Sequence, residues 1–73
     1  MTTHSYRTVQ LPHGRRFEVV TQRIAPRTYS VNVAAFDCDD YRWSETRQFE
    51  ARTNGELIGQ RAKWLAALEA KRG

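Results

Sequence analysis

The groups in this chain with the strongest chemistry are one cysteine and two histidines, set far apart in sequence. Cys38, with His13 or His4 as base, has the residue types of a thiolate and its proton acceptor. No motif surrounds the three and nothing in their spacing fixes proximity, so the sequence is read as containing no catalytic residue. Asp37, Asp39 and Asp40 flank the cysteine. They lack the alternating spacing, the glycine and the distal glutamate of a calcium loop. One cysteine and two histidines also fall short of a spaced zinc set. No metal ligands and no cofactor are therefore expected, and aspartates here suit a tight turn.

The larger signal is cationic. Twelve basic residues stand against eight acidic ones for a net charge of +4, and ten of the twelve are arginine. Residues 1–36 carry Arg7, Arg15, Arg16, Arg23 and Arg27 against Glu18 alone, and residues 37–60 reverse the sign. Arginine presents a planar fork of donors that matches phosphate and carboxylate, which is the functional reading of the excess. The codon bias of a GC-rich genome produces the same excess without any ligand.

Seventy-three residues leave room for one core, with no disulfide to staple it, so a partner or self-association is an open possibility. No stretch approaches the roughly 20 apolar residues that span a bilayer, and residues 1–11 lack the apolar run of a signal peptide. A cytoplasmic chain without membrane contact is expected, and no small-molecule substrate is evident.

Such groups would be carried on a sheet and one helix. Residues 6–11, 15–24, 28–36 and 41–51 read as strands separated by Pro12-His13-Gly14, Ala25-Pro26-Arg27 and an acidic turn. The clearest is 28–36, where Tyr29, Val31, Val33 and Ala35 alternate with Ser30, Asn32 and Ala34. Three-residue connections at each turn set Val9 against Phe17, Val19 against Val33, Ala35 against Trp43 and Tyr29 against Phe49, giving one apolar face of odd-numbered residues. Glu45 and Arg47 fall on that face too, so they must pair near its edge or be turned outward by a bulge. Thr53-Asn54-Gly55-Glu56 has capping-box spacing, and Leu57, Ile58, Arg61, Ala62, Leu65 and Leu68 recur at helical spacing, predicting a helix over 54–71. Gly59 costs that helix about 1 kcal/mol relative to alanine, with close approach to the sheet or a hinge as its compensation. The expected fold is α+β: a three- to four-stranded antiparallel β-meander packed against one C-terminal helix.

The even-numbered positions then form an outer sheet face of short polar side chains flanked by arginines. Tyr29-Ser30-Val31-Asn32-Val33, the acidic turn, Trp43 and Phe49 on the next strand and a capped helix with Trp64 resemble the sheet-plus-helix DNA-binding modules of phage integrase arm-binding domains and of the plant ethylene-response-factor type. The resemblance spans roughly residues 15–71; it implies that the sheet reads DNA. The chain departs from those modules in lacking an attached recombinase domain and in the acidic Glu18, Glu45 and Glu50. The expected partner is DNA or RNA, met by Arg15, Arg16, Arg23, Arg42 and Arg52. The alternative is a protein-interaction module, an adaptor or a regulator or inhibitor of phage or mobile-element type, in which Trp64 anchors a partner protein or a homodimer through the helix.

Overall fold

The computed structural model describes residues 4–72, with the side chains of residues 5–71. Strands β1 (His4–Gln10), β2 (Arg15–Ala25), β3 (Thr28–Asp37) and β4 (Asp40–Glu50) precede helix α1 (Asn54–Arg72). The sheet is antiparallel in the order β1-β2-β3-β4, an open meander whose edges are β1 and β4. The fold is the α+β arrangement expected, with four strands. The side chain of His4, considered above as a base and set aside, lies outside the described residues.

The register agrees with the parity argument: Val9 pairs with Phe17, Val19 with Val33, Ala35 with Trp43 and Tyr29 with Phe49. The turns that produce it differ from those expected. Pro26-Arg27 is a two-residue connection between the paired Ala25 and Thr28, and the ladder then slips at Ile24. Cys38-Asp39 likewise connects the paired Asp37 and Asp40, with the slip at Arg42. A two-residue loop followed by one bulged residue shifts the chain as far as a three-residue loop, so the core parity is the same. Arg27 and Cys38 take positive φ values of 64° and 56° at these turns, the left-handed region that usually falls to glycine or asparagine.

The odd face is the core. Phe17, Val19, Val31, Val33, Ala35 and Phe49 are buried on the sheet, and Leu57, Trp64 and Leu68 are buried on the helix. Val19, Val31 and Val33 are fully enclosed, each contributing about 1.5–3 kcal/mol by leaving water. The Phe49 and Trp64 rings meet edge to face at 5.6 Å, and Phe17 and Trp43 do so at 5.7 Å. Thr21 is the one buried polar residue among those described, and the Arg61 guanidinium donates to its hydroxyl at 3.0 Å.

Helix α1 starts where the cap spacing places it. The Glu56 N–H donates to Thr53 Oγ1 at 3.1 Å, as a capping box requires. The glutamate reaches one residue further back than usual, accepting from the Arg52 N–H at 3.0 Å. Among the described helix residues three are buried, Leu57, Trp64 and Leu68, spaced seven and four apart, so the helix rests on the sheet along a narrow seam.

Gly59 corrects the sequence reading. A methyl group built at this position meets nothing within 4 Å, so close approach to the sheet is not its compensation. It lies on the exposed side of the helix. Gly59→Ala is therefore expected to stabilise the chain by about 1 kcal/mol through lost unfolded-state freedom. A thermal melt whose midpoint does not rise would contradict that reading.

Candidate functional site

The sheet parity that forms the core also sorts the charges. Arg7, Arg15, Arg23 and Arg47 are odd-numbered and pair with Val19, Asp37, Tyr29 and Val31, which puts them on the helix side of the sheet. The outer face carries Arg16 beside Glu18, with Glu50 at its far end. It is a face of Gln22, Ser30, Asn32, Ser44, Thr46 and Gln48, in which Asn32 donates to Thr46 at 2.7 Å and Tyr41 to Ser44 at 3.1 Å. The polar outer face and the basic face are thus opposite sides of one sheet.

The five arginines proposed for nucleic acid divide into two groups. Arg15, Arg16 and Arg42 border a hollow of about 280 Å³ at the acidic-turn end, with Leu11, Phe17, Phe36, Asp37 and Trp43. Arg23 lies seven residues along β2 from Arg16, about 23 Å away at the rise of a strand. Arg52 is exposed in the connection from β4 to α1, at that same far end.

Arg16 is held within the chain. Its guanidinium lies 4.5 Å from the Phe36 ring centre, donates to the Cys38 carbonyl, and sits 3.8 Å from Glu18 and 4.0 Å from Asp39. Glu18 in turn accepts from the Tyr6 hydroxyl. This cluster fastens the acidic turn to β2; a second tie is the Cys38 N–H, which donates to the Gly14 carbonyl at 3.0 Å. Arg15 donates to the Pro12 carbonyl at 3.2 Å. The exposed Cys38 thiol belongs to a positive-φ turn residue.

Trp64 is 8% exposed and packs on Phe49, so its ring is used inside the chain. Among the described residues the exposed large apolar side chains are Tyr6, Ile24, Tyr41 and Ile58.

Cations that the sequence reading did not single out flank the helix. Arg7 and Arg61 line the groove between β1 and α1, together with Val9, Phe17, Ile58, Leu65 and Glu69. Burial pushes the Arg61 guanidinium below its ordinary value, and the neighbouring Arg7 charge adds to the effect. No ion pair within 4.0 Å joins Arg7 or Arg61 to a carboxylate among the described residues; those of Arg16 are at the acidic-turn end of the sheet. On the other flank Arg47 and Lys63 border a hollow with Phe49, Gln60, Trp64 and Ala67. The signal for Arg7 and Arg47 is the odd parity itself, which in the sequence places Arg47 on the apolar face and extends to Arg7 in the same way.

Among the described residues, no helix is long and apolar enough to cross a membrane. Compared with protein families, curated proteins and solved structures, the chain matches none.

Proposed function

We propose that the chain is a non-enzymatic nucleic-acid-binding module that meets phosphate with the helix side of its sheet. The observation that carries this reading is the Arg7 and Arg61 pair: two like charges share one groove, one of them half-buried, with Glu69 also on its wall but no described carboxylate within 4.0 Å of either. An anion placed between them relieves a repulsion that the free chain bears. Arg47 and Lys63 supply a second pair across the helix. The resemblance to sheet-plus-helix DNA-binding modules supports the class of ligand, although the contact surface argued here is the opposite one.

Counterion release provides the test. If the four helix-flanking cations each neutralise a phosphate, affinity for duplex DNA falls log-linearly with salt, each contact adding roughly 0.9 to the slope. Between about 50 and 200 mM salt the loss is then on the order of a hundredfold. Arg7→Ala with Lys63→Ala is expected to lower the slope by about two units, and Arg52→Ala to leave it unchanged. A chain that binds neither duplex nor single strand at the lower salt, or a double variant with the wild-type slope, overturns the proposal.

The alternative reading as a protein-interaction module draws support from a different feature, the open edge at β4.

A further inference from the structure

Strand β4 is an 11-residue edge of the sheet, with no further strand beyond it among the described residues. Natural edges of this length are commonly blocked by lysine, proline, a bulge or inward-pointing charges. Residues 43–49 contain no lysine or proline, the bulge of β4 lies before them at Arg42, and the two charges on their helix side, Glu45 and Arg47, are of opposite sign, so they oppose a strand of other sequence but not this one run in reverse. Arg47, Lys63 and Gln60 border an open hollow between this strand and helix α1. At the end of the strand the Glu50 carbonyl is already used, accepting from the Gln60 side chain at 3.1 Å.

We propose that β4 pairs with β4 of a second copy, antiparallel about a two-fold axis at Thr46, to make one continuous eight-stranded sheet. The register follows from the side chains. Centred on Thr46, the pairing sets Glu45 against Arg47 of the second copy, Ser44 against Gln48 and Trp43 against Phe49, with the symmetric counterpart of each. Every facing pair has the same parity, so helix side meets helix side. The symmetry produces two cross-strand ion pairs and two aromatic pairs from one strand. A shift of one step in either direction loses this. Centred on Glu45, the carboxylate faces its own copy; centred on Arg47, the guanidinium does, and like charges directly opposite are destabilising. The alternation along Trp43, Glu45, Arg47 and Phe49 therefore specifies a partner that carries the same segment in reverse. This contact uses a different surface from a helix-mediated dimer anchored by Trp64, and it leaves the Arg7 and Arg61 groove at the other edge free.

Sedimentation equilibrium of the whole chain is the test, with circular dichroism to verify folding. The wild type is expected to be dimeric in the micromolar range. Arg47→Glu puts carboxylates opposite one another twice and is expected to raise the dimer dissociation constant at least about tenfold. Glu45→Arg does the same with cations, while mixing the two variants restores a dimer that neither forms alone. The double exchange Glu45→Arg with Arg47→Glu restores the homodimer. A wild type that is monomeric up to millimolar concentration overturns the proposal. So does a folded single variant that dimerises as the wild type does, or a folded double exchange that stays monomeric. A dimer unaffected by these reversals but disrupted by Ile58→Glu would move the contact to the helix and equally reject the β4 edge.

Discussion

Replacing Val33 with aspartate is expected to unfold the chain, whereas Ser44→Asp, one strand away and on the opposite face, should change stability by no more than about 0.5 kcal/mol. Val33 is fully enclosed between β2 and β4, where it pairs with Val19 and Glu45. An ionised carboxylate at that position loses its water and gains no cation, which costs several kcal/mol. A domain of this length has about 4–11 kcal/mol of stability in total. Ser44 is exposed on the outer face, and aspartate there still accepts from the Tyr41 hydroxyl. Circular dichroism and a thermal melt of both variants check the pair. A folded Val33→Asp with an unaltered midpoint would mean that the face of β3 is assigned the wrong way round.

The second large effect concerns Trp64. Trp64→Ala removes the broadest of the three side chains that seat the helix and leaves a cavity beside Phe49, at a cost of about 3–5 kcal/mol. That is a large share of the stability of a chain this size. A tryptophan serving mainly as a surface anchor for a partner behaves differently: its removal leaves the melt of the isolated chain nearly unchanged. Chemical denaturation separates the two, and an unchanged midpoint would show that the helix is held elsewhere.

How far the residues themselves announce this fold depends on which physical constraint acts on them. The pairing of Val19 with Val33 and of Tyr29 with Phe49 is legible because a half-buried strand permits one parity, and a slip by one residue exposes the whole apolar set. The turn geometry is not legible. A three-residue connection and a two-residue connection with a bulge leave the same parity, and Arg27 and Cys38 occupy backbone regions that their residue types do not advertise. The question left open over Glu45 and Arg47 has a plain answer. Both stay on the helix side, opposite Val33 and Val31, and the bulge that could have turned them outward sits upstream at Arg42. Arg47 remains exposed because a single helix is narrower than four strands.

The candidate site was less legible than the fold. Hydrophobic burial constrains every strand position, while a surface arginine is constrained only by what it binds. Arg15 and Arg23 are expected beside Arg16 as arginines flanking the polar outer face, although their parity assigns them to the other face. The compensation imagined for Gly59 failed for a related reason: an exposed glycine in a helix leaves no local pattern that distinguishes tight packing from empty space.

The narrow seam under the helix also bears on how the molecule comes apart. Each inner strand is tied on both sides by backbone ladders, while α1 depends on Leu57, Trp64 and Leu68, on two side-chain hydrogen bonds from Gln60 and Arg61, and on the connection through Ala51 to Thr53. The lowest-lying partial opening is then undocking of the helix as a unit with the meander intact, and α1 amides should exchange with solvent faster than those of β2 and β3. What such an opening uncovers is a strip of β-branched residues, Val19, Val31 and Val33, in strands already extended and hydrogen-bonded. That is the composition and geometry from which intermolecular β-assembly starts. The three-residue tether at 51–53 counters this by keeping the helix at high local concentration over the strip. In this chain the helix serves as much as a guard against self-templating aggregation as a source of native stability.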